Sequence, residues 1–194
     1  MHTAIVVFDG VDELDAIAPY EVLRAAKLEV SLVALDAPRT IEGGHGLRFQ
    51  APAPIPARCD WLIVPGGGWA SGAARGVRAE IASGRIAAEI VRLHASGASI
   101  ASVCTGAMLL SAAGLLRGRR CITHAVAKEA LAGEGAIVID ARVVDDGEIV
   151  TAGGVTSGID LALHLIARTL GEEAMRAGAR RLEHDLRGPI AIRK

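Results

Sequence analysis

The sequence predicts an α/β fold built on a doubly wound, mainly parallel sheet with helices on both faces. Short runs of branched apolar residues alternate with longer amphipathic segments along the chain, the rhythm of strand–helix–strand units. Several of those runs are apolar at every position, as strands covered on both faces must be. The third observation is Cys104, which stands between one such run and a helical segment, the arrangement of a nucleophile elbow.

The elements follow in order. Ala4 to Phe8 is apolar throughout and reads as the first strand. Leu14 to Ala26 carries apolar residues at helical spacing, with Pro19 either kinking the helix or marking its first turn. Val30 to Leu35 gives the second strand. From Ile41 to Ala53, Gly43-Gly44-His45-Gly46 marks a polar hairpin, and Pro52, Pro54 and Pro56 mark the connection beyond it. Trp61 to Val64 is the third buried strand, Ile86 to Ala95 a helix, and Ser99 to Val103 the strand leading into Cys104. After the Cys104 helix come a strand near Cys121-Ile122-Thr123, a helix from Val126 to Ala132, and short strands around Ile137, Val143 and Ile149. A hydroxyl in Thr156-Ser157-Gly158 can cap a long helix reaching about Leu170, and a last helix covers Glu172 to Leu182. With no internal repeat or low-complexity tract, residues 1–194 are expected to form one domain.

Composition narrows the function classes. Hydrophobic residues make up 51% and aromatics only 3%, so the core must be built from Ala, Val, Leu and Ile. A formal net charge of -1 gives no electrostatic reason to expect a nucleic-acid or membrane partner. The run Ala179-Arg180-Arg181-Leu182 is followed by Glu183 and Asp185 and reads as a solvated helix face. The N-terminus lacks a signal-peptide pattern, and no apolar run reaches the roughly 18 residues needed to cross a bilayer. Cys59, Cys104 and Cys121 are odd in number and unpaired in spacing, which fits a reducing compartment. The expectation is a cytoplasmic protein acting on a small molecule. The cysteines and the six histidines show no metal-ligand spacing, so neither a metal nor a cofactor is expected.

Three segments follow strands and carry the chemistry. At Cys104 the sulfur is expected to meet the positive end of a helix, which favours thiolate over thiol and makes a nucleophile. Cys59 and Cys121 lack such a setting and read as structural thiols. In Pro65-Gly66-Gly67-Gly68-Trp69, consecutive glycines let backbone N–H groups turn inward, as an anion hole requires. No Gly-Lys-Ser/Thr ending follows, so a phosphate loop is the weaker reading. Asp15 is flanked by Leu14, Ala16 and Ile17 and is expected to point inward, where a carboxyl beside a thiol has a raised pKa and handles protons. His124 is either a satisfied histidine at a strand end or an auxiliary group of the site. His94 and His164 read as structural, and His2, His45 and His184 as exposed.

Together these segments resemble the ThiJ/PfpI superfamily, which has a flavodoxin-like, class I glutamine amidotransferase-like fold. The resemblance spans nearly the whole chain. It rests on the acid after the first strand, the glycine turn, Ala101-Ser102-Val103-Cys104-Thr105-Gly106-Ala107, Ile122-Thr123-His124, and Gly153-Gly154-Val155-Thr156-Ser157-Gly158-Ile159-Asp160. Leu14-Asp15-Ala16-Ile17-Ala18-Pro19 and Val103-Cys104-Thr105-Gly106 look most like the isonitrile hydratase branch and the amidase-like domains of AraC-type regulators. The resemblance implies Cys104 as nucleophile, Asp15 as its acid/base partner and Thr105 as an anion-stabilising residue, with Gly67 and Gly68 completing the oxyanion site. It also implies a homodimer.

The chain departs from the peptidase and deglycase pattern, which places a histidine directly after the cysteine; here that residue is Thr105. The expected function is therefore cofactor-free isonitrile hydration through a cysteine thioimidate. The rivals are a glyoxalase- or deglycase-like activity on methylglyoxal and a non-enzymatic sensor in which Cys104 is oxidised. A transcription regulator is disfavoured, because the tail after Leu170 is too short for a helix-turn-helix pair.

Overall fold

The structure is a computed structural model and describes residues 1–69, 74–186 and 188–192. The elements are β1 (His2–Val6), α1 (Glu13–Ala25), β2 (Glu29–Ala34), β3 (Arg39–Glu42), β4 (Arg48–Ala51), β5 (Ala53–Pro54), β6 (Trp61–Val64), α2 (Val77–Ser83), α3 (Arg85–Ala95), β7 (Ser99–Val103) and α4 (Gly106–Ala112). They continue with β8 (Arg120–Cys121), α5 (Lys128–Gly133), β9 (Ile137–Val138), β10 (Val143–Asp145), β11 (Ile149–Ala152), α6 (Ser157–Leu170), α7 (Glu172–Arg181) and β12 (Ile190–Ile192). A single 3-10 turn, Ala125–Ala127, precedes α5.

The main sheet runs β12-β10-β11-β7-β6-β1-β2-β5. All of its pairings are parallel except β10 with β11. The strands β6, β7 and β11, nearly or wholly buried along their length, form the middle. Their unbroken apolar runs match cover on both faces, with α2, α3 and α4 neighbouring one another and α1, α6 and α7 packed together. The predicted α/β class therefore holds. The hairpin around Gly43–Gly46 forms as β3 and β4 in register from Arg39↔Ala51 to Glu42↔Arg48.

Three elements differ from expectation. The segment after the glycine turn contains a short helix, α2, whose Val77 is buried, which periodicity over so few residues does not announce. The strand near Cys121 joins β9 in a separate two-stranded sheet, so it does not extend the main one. The chain end adds β12 as an edge strand on β10, where its three residues need only one partner. Pro19 lies inside α1, which continues to Ala25.

Beneath the sheet edge, two charge clusters tie α6 to its neighbours. Asp145 on β10 meets the His164 ring at 2.7 Å and Arg168 at 3.2 Å, and Arg168 also lies over the Trp61 ring. Asp160 accepts from Arg142 at 2.5 Å and meets His184 at 3.0 Å. His184, expected to be exposed, is therefore half-buried, because a buried carboxylate needs a second donor. His2 is likewise half-buried, against Ser31. His45 is exposed, as expected.

Replacing Asp145 by Ala leaves the His164 ring and the Arg168 guanidinium without their buried acceptor. It should lower stability by about 3 kcal/mol, seen as a lower urea midpoint at unchanged slope.

Candidate active site

Cys104 follows β7 and takes φ +57°, a left-handed conformation that non-glycine residues avoid. Three hydrogen bonds hold it there. Its N–H donates to Ala152 O at 3.1 Å and Gly153 O at 2.9 Å, and its carbonyl accepts from Thr123 Oγ1 at 2.8 Å. At Gly106 the next turn starts so close to β6 that a Cβ would collide with the Val64 carbonyl oxygen. The sulfur is thereby raised on a strained strand-to-helix turn, as the sequence suggested.

Asp15, in the first turn of α1, has no exposed surface. Its Oδ2 accepts from the Gly66 N–H at 3.0 Å, while Oδ1 has no well-formed hydrogen bond among the described residues. The carboxyl and the Cys104 thiol interact closely enough that each alters the other's ionisation. Thr105 sits beside them, buried, and its Oγ1 accepts from the Gly67 N–H at 3.0 Å. The glycine turn is fixed from behind by Asp12 N–H to Gly66 O and Val77 N–H to Gly67 O, each at 2.9 Å. Gly66 must lack a side chain, because a Cβ would lie 2.5 Å from Thr105 Oγ1 and 3.0 Å from Asp15 Oδ2.

This geometry redistributes the expected roles. The Gly66 N–H, which the sequence did not single out, serves Asp15. The Gly67 N–H is engaged by Thr105. Gly68 takes φ +67° and packs against Arg75 and Gly76. Facing the sulfur are the backbone N–H groups of Thr105 and Val155. Val155 was also not anticipated, and at φ +35° it is strained. The signal was present in the Gly153-Gly154-Val155 run, but a backbone donor leaves no trace in the identity of its own side chain. His124 accepts from Val126 N–H at Nδ1, 3.2 Å, and its ring fills the space beside Gly154 where a Cβ would be. It makes no hydrogen bond to Asp15 or Cys104 among the described residues.

The thiol departs from expectation. Burial, and then the Asp15 charge, push Cys104 up to about 12 despite the two N–H groups on its sulfur. A short helix start does not offset removal from water beside a carboxylate. Burial, and then the Asp12 charge, push Asp15 up to about 8, against the Gly66 N–H and the thiol, which pull it down. Burial thus disposes both groups of the pair to keep their protons. Cys59 and Cys121 are pushed up to about 11, by burial first and then by Asp60 and Asp146 respectively.

A strained cysteine at a strand end, a buried acid from the first helix and a glycine turn between them define an α/β protein of the cysteine-elbow class. The sequence profile of the DJ-1/PfpI family matches residues 1–168, and the chain belongs to that family. It is 34% identical over 187 residues to an isonitrile hydratase of Pseudomonas putida, covering 95% of this chain and 78% of the relative. It is 31% identical over 156 residues to a deglycase of Pyrococcus abyssi, covering 78% of this chain and 89% of the relative. The crystal structure of a ThiJ/PfpI family protein from Pseudomonas syringae superposes with a TM-score of 0.84 at 27% identity, over 97% of this chain and 77% of that one.

Asp15 is raised above its ordinary value of 3.8, so its contribution to stability is whole below 3.8 and is lost progressively as pH rises from there to about 8. Thermal melts of the wild type should fall across that window, and those of Asp15→Asn should be flatter. Because the Asp15 charge also raises the thiol, Asp15→Asn should shift the pH profile of Cys104 alkylation by iodoacetamide to lower pH. An unchanged profile would show that the two groups do not interact.

Proposed function

We propose that the protein hydrates an isonitrile to an N-formyl amine, with Cys104 as nucleophile and Asp15 as the proton-handling group. The observation that supports this most is the pairing itself. A fully buried carboxyl faces the thiol, and Thr105 occupies the place where a histidine would make a Cys-His pair. The similarity to the Pseudomonas putida isonitrile hydratase agrees with this reading.

With both groups protonated at rest, the carboxyl works through its two oxygens. One delivers its proton to the terminal carbon of R–NC as the other takes the thiol proton, and sulfur bonds to that carbon. The product is the thioimidate R–N=CH–S–Cys104, and the carboxyl ends as it began. Water then adds to the same carbon, one oxygen of Asp15 giving its proton to the nitrogen while the other takes a proton from the water. The tetrahedral adduct R–NH–CH(OH)–S–Cys104 collapses to R–NH–CHO, and the hydroxyl proton returns through Asp15 to sulfur. One group serves as acid and then base, which requires a pKa near the working pH, and a value of about 8 meets that need. The N–H groups of Thr105 and Val155 stabilise charge building on sulfur. The protein is expected to act as a homodimer.

The rival is a deglycase- or glyoxalase-like reaction at the same thiol, favoured by the similarity to the Pyrococcus abyssi deglycase. An assay of purified protein on a simple aryl or alkyl isonitrile and on methylglyoxal separates the two readings. The expected result is N-formyl amine without lactate. Cys104→Ala should abolish turnover, and Asp15→Asn should reduce kcat by about 10²–10⁴-fold. Thr105→Val, which removes the acceptor for the Gly67 N–H, should reduce kcat/KM by roughly tenfold. Lactate in a Cys104-dependent assay would move the assignment to the rival, and N-formyl amine formed by Cys104→Ala would remove it from this site.

A further inference from the structure

A cleft of about 360 Å³ lies beside the elbow, between the 3-10 turn before α5, the segment entering β10 and the start of α6. Its walls combine apolar Ile122, Ala125 and Pro189 with charged Lys128, Asp140 and Arg142. Arg142 is fixed before any ligand arrives. Its Nε donates to buried Asp160 at 2.5 Å and its Nη2 to Thr156 Oγ1 at 2.9 Å. Its Nη1 donates no hydrogen bond among the described residues. A guanidinium pinned on one edge and free on the other presents a fork to a planar acceptor.

Lys128 complements it. Its partner at 2.8 Å, Asp140, is almost fully exposed, and such a surface pair contributes little and opens readily. A ligand carboxylate can therefore take the place of Asp140 at Lys128 while Arg142 keeps its buried anchor. The apolar walls ask for a small hydrocarbon body behind that carboxylate, not for a bare inorganic anion.

We infer that this cleft is a binding site for a small carboxylate with an apolar body, held by Arg142 and Lys128. The site is separate from the thiol. Gly153, Gly154 and Ser157 line the cleft, while the N–H of Val155, on the same turn, faces the Cys104 sulfur. A ligand in the cleft thus touches the backbone that sets one of the donors to sulfur, and its occupancy alters the reactivity of Cys104. Arg142 with Asp160, whose other oxygen meets His184, and Lys128 with Asp140 make up the polar surroundings.

Calorimetric titration with butyrate and with inorganic phosphate at low ionic strength tests the inference on three proteins. The wild type should bind butyrate more tightly than phosphate. Asp140→Asn, an exposed change that removes the competing carboxylate, should tighten butyrate binding about fivefold. Ala125→Glu, also at an exposed position, places a negative charge at the rim and should weaken it at least tenfold. Saturating butyrate should change the rate of Cys104 alkylation by iodoacetamide at least twofold in the wild type and not in Ala125→Glu. Absence of binding, equal binding by all three proteins, or preference for phosphate would overturn the site. Binding with an unchanged alkylation rate would overturn its link to the thiol. None of these readouts depends on isonitrile turnover, so they stand apart from the activity proposed above.

Discussion

A carboxyl with no exposed surface and a thiol with almost none occupy the same small volume, and the rest of the site is arranged around the difficulty this creates. Neither group can ionise easily out of water, and the charge of either one disfavours charge on the other. The fold supplies only a few compensating dipoles, namely Gly66 N–H on the acid and two backbone N–H groups on the sulfur. Both groups are therefore disposed to hold their protons at rest. A preformed thiolate would be a more general nucleophile; a pair that holds its protons favours molecules that accept a proton as they accept the sulfur.

Close packing of backbone makes this arrangement possible. The glycine turn, the elbow and the first turn of α1 approach so tightly that Gly66 and Gly106 have no room for a methyl group. Thr105 links two of these pieces, since its hydroxyl accepts from the glycine turn while its own N–H faces the sulfur. Asp15 ties in the third, the first turn of α1, by accepting from the Gly66 N–H, while Thr123 and the end of β11 fix the strained backbone of Cys104 itself. The site is thus set by main-chain geometry, with few side chains involved.

That balance explains what was legible in the sequence. Strands buried on both faces wrote themselves as apolar runs, so Ile5, Ile63 and Ala101 were each legible as strand residues, whereas their side-by-side pairing emerges only in the assembled sheet. Cys104, Asp15 and Thr105 were legible because the proposed chemistry rests on their side chains. Gly66 and Val155 were not, because they contribute an N–H that every non-proline residue possesses, and only tertiary placement tells which one faces the site. The direction of the thiol pKa was misjudged for a related reason. A helix start is visible in a sequence, whereas the depth of burial that opposes it is a property of the assembled fold. His184 was misread as exposed because its partner, Asp160, lies 24 positions away.

The order of strands in the sheet carries one more consequence. Asp15, Gly66, Cys104 and Val155 are far apart along the chain and meet only when β1, β6, β7 and β11 have paired side by side. Parallel pairings of such separation form late, since loop closure opposes them until the sheet is nearly complete. Until then the cysteine is an ordinary solvated thiol, ionising near the value of a free cysteine and open to any electrophile. The most vulnerable moment for this residue is therefore its synthesis and refolding, and completion of the sheet acts as its first protecting group.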